Sequence, residues 1–239
     1  MAIEFSISNW SGWTLPSAAG LFPAAAVQVA DAPDVSPIPP LLRRRLNTLG
    51  RACAAEILRH MRTGDNPPIV YCSRHGDIER TLGVLVDLAR GEPVSPMNFS
   101  LTVHNAIAGI VSIHQGISAN ISSIAAGEEG LVPVLFEALG LLGEEHPTVL
   151  CVLGDVPLPA IYRGHCPWPD LPFAACFTVS SGEGLPLALD FPDACPPVAE
   201  PSPARPQPLQ FIDFLSSPRQ TLATPHNGER WTIRKRQLS

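Results

Sequence analysis

The segment from Asn98 to Gly130 constrains the fold more than any other part of the sequence. Residues 103–115 predict a helix, because apolar residues recur there at helical spacing and small residues between them permit close packing. The Ser-rich residues 117–124 predict a strand, and residues 129–143 predict a second helix. Residues 125–129 must therefore turn the chain sharply from the strand into that second helix.

This turn occupies the position at which many acyl-transfer enzymes carry a nucleophile, between the end of a strand and the start of a helix. Its sequence is Ala125-Ala-Gly-Glu-Glu and contains no Cys, Ser or Thr. The scaffold of a nucleophile without the nucleophile favours a binding or templating partner over an enzyme that acts alone.

Strands and helices alternate along the chain, which predicts an α/β layered domain with a mixed sheet. Short apolar runs predict strands at residues 69–72, 148–153, 173–179 and 185–189, and a loose alternation predicts one at 3–7, followed by loop to about residue 38. Apolar residues at helical spacing predict a helix from Pro39-Pro40 to about His60 and another over residues 78–90.

The C-terminal part of the chain differs in composition. Six prolines lie between Pro196 and Pro208, which predicts an extended segment that wraps a surface. Residues 209–217 predict a short helix, and Trp231-Thr-Ile-Arg predicts an edge strand or a tail. We therefore expect one domain over residues 1–190 and a Pro-rich extension over residues 191–239 that packs on it.

Composition restricts the classes of partner. Hydrophobic residues make up 45% of the chain and charged residues only 16%, which predicts exposed apolar surface that meets a partner. The net charge of -6 argues against nucleic acid as the main ligand. No apolar run reaches the ~20 residues that cross a bilayer, and the N-terminus lacks the basic start of a secretory signal. We expect a cytoplasmic protein without a membrane span.

The six cysteines are scattered and form no C-x-x-C pair, which in a reducing compartment predicts buried free thiols. A zinc site at His165 and Cys166 is disfavoured because adjacent residues are poor co-ligands. A catalytic pair of Cys72 and His75 is disfavoured because near neighbours on a turn seldom align as nucleophile and base. We expect neither a metal nor a cofactor.

Four short motifs together resemble the β-ketoacyl synthase-like N-terminal domain family, which includes the chain-length-factor subunits encoded with aryl polyene synthases. They are Pro39-Pro-Leu-Leu-Arg-Arg-Arg-Leu, Cys72-Ser-Arg-His-Gly-Asp, Ser100-Leu-Thr-Val-His-Asn-Ala and Ala125-Ala-Gly-Glu-Glu. Each motif is weak alone, but the combination is specific. The resemblance covers nearly the whole chain, from the N-terminal strand to the region of Trp231.

The resemblance implies a thiolase-like half-fold, the N-terminal half only. In full ketosynthases a C-terminal half supplies two catalytic histidines, in a His-Gly-Thr-Gly-Thr motif and a later Gly-His-x-x-Gly-like motif, and neither motif occurs in this sequence. Alignment of the helix around Phe136 with that family places the lost nucleophilic cysteine at or near Glu128. A carboxylate there holds no acyl thioester and repels a malonyl carboxylate. The resemblance thus implies a subunit that is not catalytic by itself.

The resemblance also implies a heterodimer with an active ketosynthase, which an acyl carrier protein visits transiently. In such dimers the strand before the cysteine pairs antiparallel with its counterpart across the interface, a role that falls here on residues 118–123. The helix and turn of this chain would wall the far end of the acyl tunnel and set the length of a polyene or fatty acyl product. The residues expected at the tunnel or interface are Phe99, His104, Asn105, Ser118, Asn120, Ser122, Ala125, Gly127 and Glu128.

Structural alternatives exist for several of these residues. For Glu128 a carboxylate that favours the start of a helix is the preferred alternative, and His104 equally suits a core histidine bonded to backbone. For Phe99 and the apolar face of 103–113, ordinary core is the favoured alternative. Two other functions remain open for the whole chain. One is a stand-alone Cys-dependent acyltransferase or hydrolase using Cys72 or Cys151, and the other is a carrier-protein docking module with no tunnel role.

Overall fold

A mixed sheet of nine strands forms the centre of the molecule. The structure is a computed structural model and describes residues 2–22, 25–36, 38–62, 64–127, 130–165, 171–192 and 206–237. Within these ranges the strands are β1 (Ala2–Thr14), β2 (Val27–Val29), β3 (Ile69–Cys72), β4 (Ile121–Ile124), β5 (Thr148–Asp155), β6 (Phe173–Ser180), β7 (Leu185–Asp190), β8 (Thr221–His226) and β9 (Glu229–Lys235).

The strand order across the sheet is β4-β3-β5-β6-β1-β7-β9-β8, and β2 pairs with one end of β1. The first three strands of this order run parallel, and every neighbouring pair from β5 onwards is antiparallel. In the described part of the chain, β4 and β8 are therefore the two edges of the sheet.

Helices cover both faces of the sheet. They are α1 (Pro40–Arg43), α2 (Thr48–His60), α3 (Ile78–Ala89), α4 (Pro96–Ser100), α5 (Ala106–Gln115), α6 (Leu131–Leu141) and α7 (Gln207–Ser216), with short 3-10 turns at Pro16–Leu21 and Ala160–His165. The apolar sides of α2 and α5 form one buried core with the sheet, and those of α6 and α7 form a second core on the opposite face. This arrangement confirms the predicted α/β class with a mixed sheet. None of the helices in these ranges is long and apolar enough to cross a membrane.

Several predicted boundaries are wrong. The predicted helix from residue 39 to 60 is two helices, because the helix is interrupted between Arg43 and Thr48 and Asn47 caps α2 by accepting a hydrogen bond from the Gly50 N–H at 2.9 Å. The first strand does not end at residue 7 but continues to Thr14, since its second half pairs with β6. The strand predicted at 117–124 is confined to Ile121–Ile124.

Two further corrections concern the helix at 103–115 and the C-terminus. α5 begins at Ala106, and Val103 before it is 50% exposed, so Val103 is not part of the buried face. Trp231 lies in β9, which is an interior strand between β7 and β8, and β8 itself was not predicted. The hairpin of β8 and β9 extends the same sheet as β1. Most of the Pro-rich segment, residues 193–205, lies outside the described residues.

An aromatic cluster joins the hairpin to α6. The Phe136 ring on α6 packs edge-on against Trp231 with centroids 5.5 Å apart, and Phe191 lies 5.2 Å from Trp231. Aromatic pairs at such distances stabilise a fold beyond the area they bury. The part of α6 around Phe136 is therefore partly covered by Phe191 and Trp231.

Candidate functional site

Within the described residues, the edge strand β4 pairs with β3 on one side only and leaves backbone groups unpaired on the other. The Ile69 N–H donates to the Asn120 carbonyl at 2.9 Å, and the Ser73 N–H donates to the Ile124 carbonyl at 3.3 Å. In a parallel ladder this register turns the N–H and C=O groups of Ile121 and Ser123 away from β3. These groups form a short template on which another strand can add.

The residues predicted for this edge have defined places. The Asn66 side chain accepts hydrogen bonds from the N–H groups of Ser118 (2.8 Å) and Ala119 (3.0 Å), which fixes the chain just before β4. Ser118 and Asn120 are exposed. Ser122 Oγ donates to Glu137 Oε1 of α6 at 2.6 Å. The side chain of Ser122 is thus bound within this chain, and only its backbone belongs to the edge.

The turn after β4 is described at both ends but not in its middle. Ala125 and Gly127 are exposed, and Gly127 has φ +64, a conformation that favours glycine. Glu128, the predicted site of the lost nucleophile, lies outside the described residues, as does Glu129. Gly130 then precedes α6.

The space beneath this turn is nearly filled. A Cβ on Gly130 would lie 3.0 Å from Cys72 Sγ and 3.3 Å from Leu153 Cδ2. The cavity that these residues line with Asp155 and Phe173 has a volume of about 20 Å³. A cavity of this volume holds roughly one water molecule. Burial raises the pKa of the Cys72 thiol to about 12, so this thiol is not an activated nucleophile.

Asp155 anchors the turn that follows β3. Its Oδ1 accepts hydrogen bonds from Ser73 Oγ at 2.9 Å and from the Arg74 N–H at 3.0 Å. Ser73 Oγ in turn accepts from the Gly76 N–H at 3.0 Å. Burial raises the pKa of Asp155 to about 6, although these hydrogen bonds favour the carboxylate. The end of β5 is thereby tied to the loop between β3 and α3.

His104 packs on the same turn. Its Nε2 lies 2.7 Å from the Ser73 carbonyl oxygen, which can only accept, so Nε2 carries the proton. The Tyr71 ring meets the imidazole edge-on at 5.7 Å, and a Cβ on Gly76 would lie 3.3 Å from His104 Cδ2. His104 therefore contacts the backbone of its own chain, in line with the structural alternative. Asn105 beside it is exposed at the start of α5.

The helices between β3 and α5 leave apolar side chains uncovered. Phe99 on α4 is 61% exposed, so it is not part of the buried core of this chain. Met97 on the same helix is also exposed. α3 has an apolar sequence, yet Val84 is its one buried residue among the described positions, and Leu85 and Leu88 face outwards. This region is an apolar surface that the chain itself does not cover.

The structure describes four of the six cysteines. Cys53, Cys72, Cys151 and Cys176 are free and buried, as predicted. Cys166 and Cys195 lie outside the described residues, and so does the zinc alternative that includes Cys166. Among described residues no group of three or more His, Cys, Asp or Glu side chains is placed to hold a metal ion.

Sequence reasoning missed two buried polar clusters. One is the set of contacts around Asp155, and the other joins β1 to α2. In the second, the Ser11 hydroxyl donates to the fully buried Glu56 carboxylate, and His60 Nε2 lies 2.8 Å from Ser11 Oγ. Glu56 and His60 are four residues apart on one helix, a spacing that brings side chains to the same face. That spacing was the one available signal, and it does not identify Ser11 as the partner.

Comparison with known proteins places this geometry in a family. Residues 10–233 match the family described as the N-terminal domain of beta-ketoacyl synthase. Because the match covers most of the sequence, the chain belongs to this family. No protein of curated function matches the sequence significantly.

Solved structures agree with this assignment. The chain is similar to a chain in the complex of the ketosynthase ApeO with its chain length factor ApeC from Xenorhabdus doucetiae, with 28% identity and a TM-score of 0.81. The similarity covers 97% of this chain and 99% of that chain, so the two have nearly the same length. The fold is thus the thiolase-like fold of ketosynthases in a half-size form.

A second similar structure is the ishigamide ketosynthase/chain length factor, with 15% identity and a TM-score of 0.59. The similarity covers 78% of this chain and 66% of that chain. At this identity it supports the fold alone.

Proposed function

We propose that this chain is a non-catalytic, chain-length-factor-type subunit that pairs with an active β-ketoacyl-[acyl carrier protein] synthase and shapes the acyl tunnel of the pair. The observation that carries the proposal is the contrast between the two ends of the turn after β4. The strand before the turn offers open backbone to a partner, while the cavity behind the turn, of about 20 Å³, is too small for an acyl chain.

The described cysteines do not support the rival enzyme. Catalysis by a cysteine needs a thiolate that a substrate reaches. Burial raises the pKa of Cys72 to about 12 and that of Cys151 well above its usual value. His75, the nearest candidate base in sequence, is not bonded to Cys72. The interior of this chain thus favours a supporting role over independent acyl transfer.

The two edges of the sheet support a partner at β4 in particular. β8 contains Pro225, a residue that blocks further pairing of an edge strand. β4 consists of Ile121, Ser122, Ser123 and Ile124 and carries neither a proline nor a charge. The chain therefore protects one edge against association and leaves the other available.

The uncovered surface on α4 suggests how the subunit would set product length. Phe99 and Met97 project from a helix that lies between the end of β3 and the start of α5, in the segment that leads into β4. A partner paired along β4 would bring its own acyl tunnel near this segment, and bulk there would stop a growing polyene or fatty acyl chain. Asn105 and Ala125 would stand at the rim of the same contact. An acyl carrier protein would deliver the chain to the partner.

Pairing is tested by co-expression with a ketosynthase from the same organism, followed by affinity capture of this chain and native mass spectrometry. A stoichiometric heterodimer is expected. A stable monomer that does not bind the co-expressed ketosynthase would overturn the proposal.

The edge strand is tested with Ser123→Pro, which removes an outward N–H without breaking a hydrogen bond to β3. We expect heterodimer affinity to fall at least about tenfold, the effect of losing one or two backbone hydrogen bonds. Ser123→Ala is the matched control, because it keeps the N–H and removes only the exposed hydroxyl. Equal binding by both variants would place the interface elsewhere.

Product length separates the tunnel role from a docking module. The heterodimer is supplied with a starter thioester and malonyl carrier protein, and the products are sized by mass spectrometry. Ala125→Phe is expected to shorten the products and Phe99→Ala to lengthen them. Ala125 is preferred over Gly127 because the φ of +64 at Gly127 would strain any other side chain. A docking module without a tunnel role predicts unchanged lengths for both variants.

A further inference from the structure

A set of hydrogen bonds connects the end of β5 to the segment that carries Phe99. It begins at Asp155, whose carboxylate holds the Ser73 hydroxyl and the Arg74 N–H. The Ser73 carbonyl then accepts the Nε2–H of His104 at 2.7 Å. The segment that carries Phe99 ends at this histidine.

The same segment has a second attachment at its other end. Asp77 caps α3 and pairs with Arg80 at 2.9 Å. Arg80 Nη1 lies 3.4 Å from Asn98 Oδ1, and Arg80 Nη2 donates to the Arg45 carbonyl at 3.0 Å. Asn98 is the residue before Phe99. Phe99 is therefore held between two contacts that both begin in the turn of residues 73–77.

Hydrogen bonds tie that turn to two strands of the sheet. After β3 ends at Cys72, the Ser73 N–H donates to the Ile124 carbonyl at 3.3 Å, and Asp155 accepts hydrogen bonds from Ser73 Oγ and the Arg74 N–H. A carboxylate that accepts several donors from one turn fixes its backbone strongly. Asp155 therefore holds the turn of residues 73–77 against the end of β5.

We propose that Asp155 is a positioning residue for product length, which acts through the turn of residues 73–77 and His104 on the placement of Phe99. It touches neither substrate nor partner. The proposal rests on the proposed function, because a length determinant has meaning only in a complex that elongates an acyl chain. According to this proposal, contacts within this subunit determine where the tunnel wall lies.

The first test measures the position of the ring without a partner. 4-Fluorophenylalanine is incorporated in the full chain, and the 19F resonance of residue 99 is assigned by its loss in Phe99→Leu. Asp155→Asn is expected to shift or broaden this resonance. Asp190→Asn is the matched control, since Asp190 also ends a strand and pairs with Arg234 at 2.8 Å far from α4. An unchanged resonance in Asp155→Asn would overturn the proposal whatever the partner is.

The second test uses the heterodimer and product sizes. Asp155→Asn is expected to spread the products over neighbouring lengths, with the dominant length losing its share, while Asp190→Asn keeps the wild-type distribution. In the Phe99→Ala background Asp155→Asn is expected to add nothing, because the ring it positions is gone. Additive effects, or a wild-type distribution in Asp155→Asn, would contradict the proposal.

The failure of this proposal can be distinguished from a variant that does not fold and from the failure of the proposed function. If Asp155→Asn does not fold, Ser73→Ala removes one hydroxyl from the same set of contacts and replaces it in both tests. If wild-type chain forms no elongating heterodimer, the proposed function fails, and the 19F result still decides whether Asp155 positions Phe99.

Discussion

Gly130 lies directly against Cys72, so that a Cβ at residue 130 would come within 3.0 Å of the thiol sulfur. The backbone of Gly130 has φ -82, so the constraint is space and not conformation. Gly130→Ala is expected to lower the free energy of unfolding by about 1–3 kcal/mol, the usual effect of overpacking a core. Urea denaturation measures it.

Two further variants make this test specific. Cys72→Ala in the same chain is expected to recover part of the loss, because it frees the volume into which the new methyl group projects. Gly83→Ala on α3 is the control, since a Cβ there meets nothing within 4 Å and alanine favours a helix. Equal changes in the free energy of unfolding for Gly130→Ala and Gly83→Ala would show that the space around Gly130 accommodates a methyl group.

Thiol reactivity gives a second prediction. Cys53, Cys72, Cys151 and Cys176 are buried, and burial raises the pKa of each thiol. We expect all four to resist iodoacetamide at pH 7.5 in the native protein and to react after denaturation. Peptide mass spectrometry assigns each site separately. Rapid alkylation of Cys72 or Cys151 in the native protein would support the alternative of a Cys-dependent enzyme.

Much of the fold was predictable from the sequence, for physical reasons that individual elements make clear. The apolar run Thr148–Leu153 predicted β5 because a strand covered on both faces needs apolar residues at every position. β8 was missed because Thr221-Leu-Ala-Thr-Pro-His contains a proline and reads as loop, although an edge strand tolerates one.

The candidate site was less predictable. Apolar periodicity alone assigned Val103 to a buried face and cannot tell packing within a chain from packing against a partner. The contact between Asp155 and Ser73 joins residues that are 82 positions apart, and no local pattern encodes it. The pairing of Ser11 with Glu56 depends on tertiary structure in the same way.

Asp155 predicts a pH dependence of stability. Burial raises its pKa from 3.8 to about 6 in the folded state, so the folded protein binds the proton more tightly than the unfolded chain. The stability that this group contributes is therefore present at low pH and is lost as pH rises from about 4 to 6. The free energy of unfolding of the wild type, minus that of Asp155→Asn, should fall over this range and stay constant above it.

The measurement is urea denaturation of both proteins at several pH values between 4 and 7.5. The difference between their free energies of unfolding is the quantity compared, because other groups titrate equally in both. A difference that does not change with pH would mean that Asp155 titrates normally.

His60 predicts the opposite slope. Burial, assisted by the nearby Arg59 charge, lowers its pKa from 6.5 to about 4. The unfolded chain therefore takes up the proton first, and stability is lost as pH falls from about 6.5 to 4. His60→Gln, which keeps a donor for Ser11, should remove this slope. Thermal unfolding of wild type and variant across that range tests it, and parallel curves would count against a neutral His60.

β1 has a consequence for how the chain is made. This strand is synthesised well before β6 and β7, the strands between Phe173 and Asp190 with which it pairs. Pairing over such a separation in sequence is slow, because a long loop must close before any contact forms. Apart from its last residues, which pair with β2, β1 should thus remain without a partner strand until most of the chain is made. During that interval an exposed strand is open to the wrong pairing, so yield in the cell should depend on chaperones and on slow translation more than on final stability.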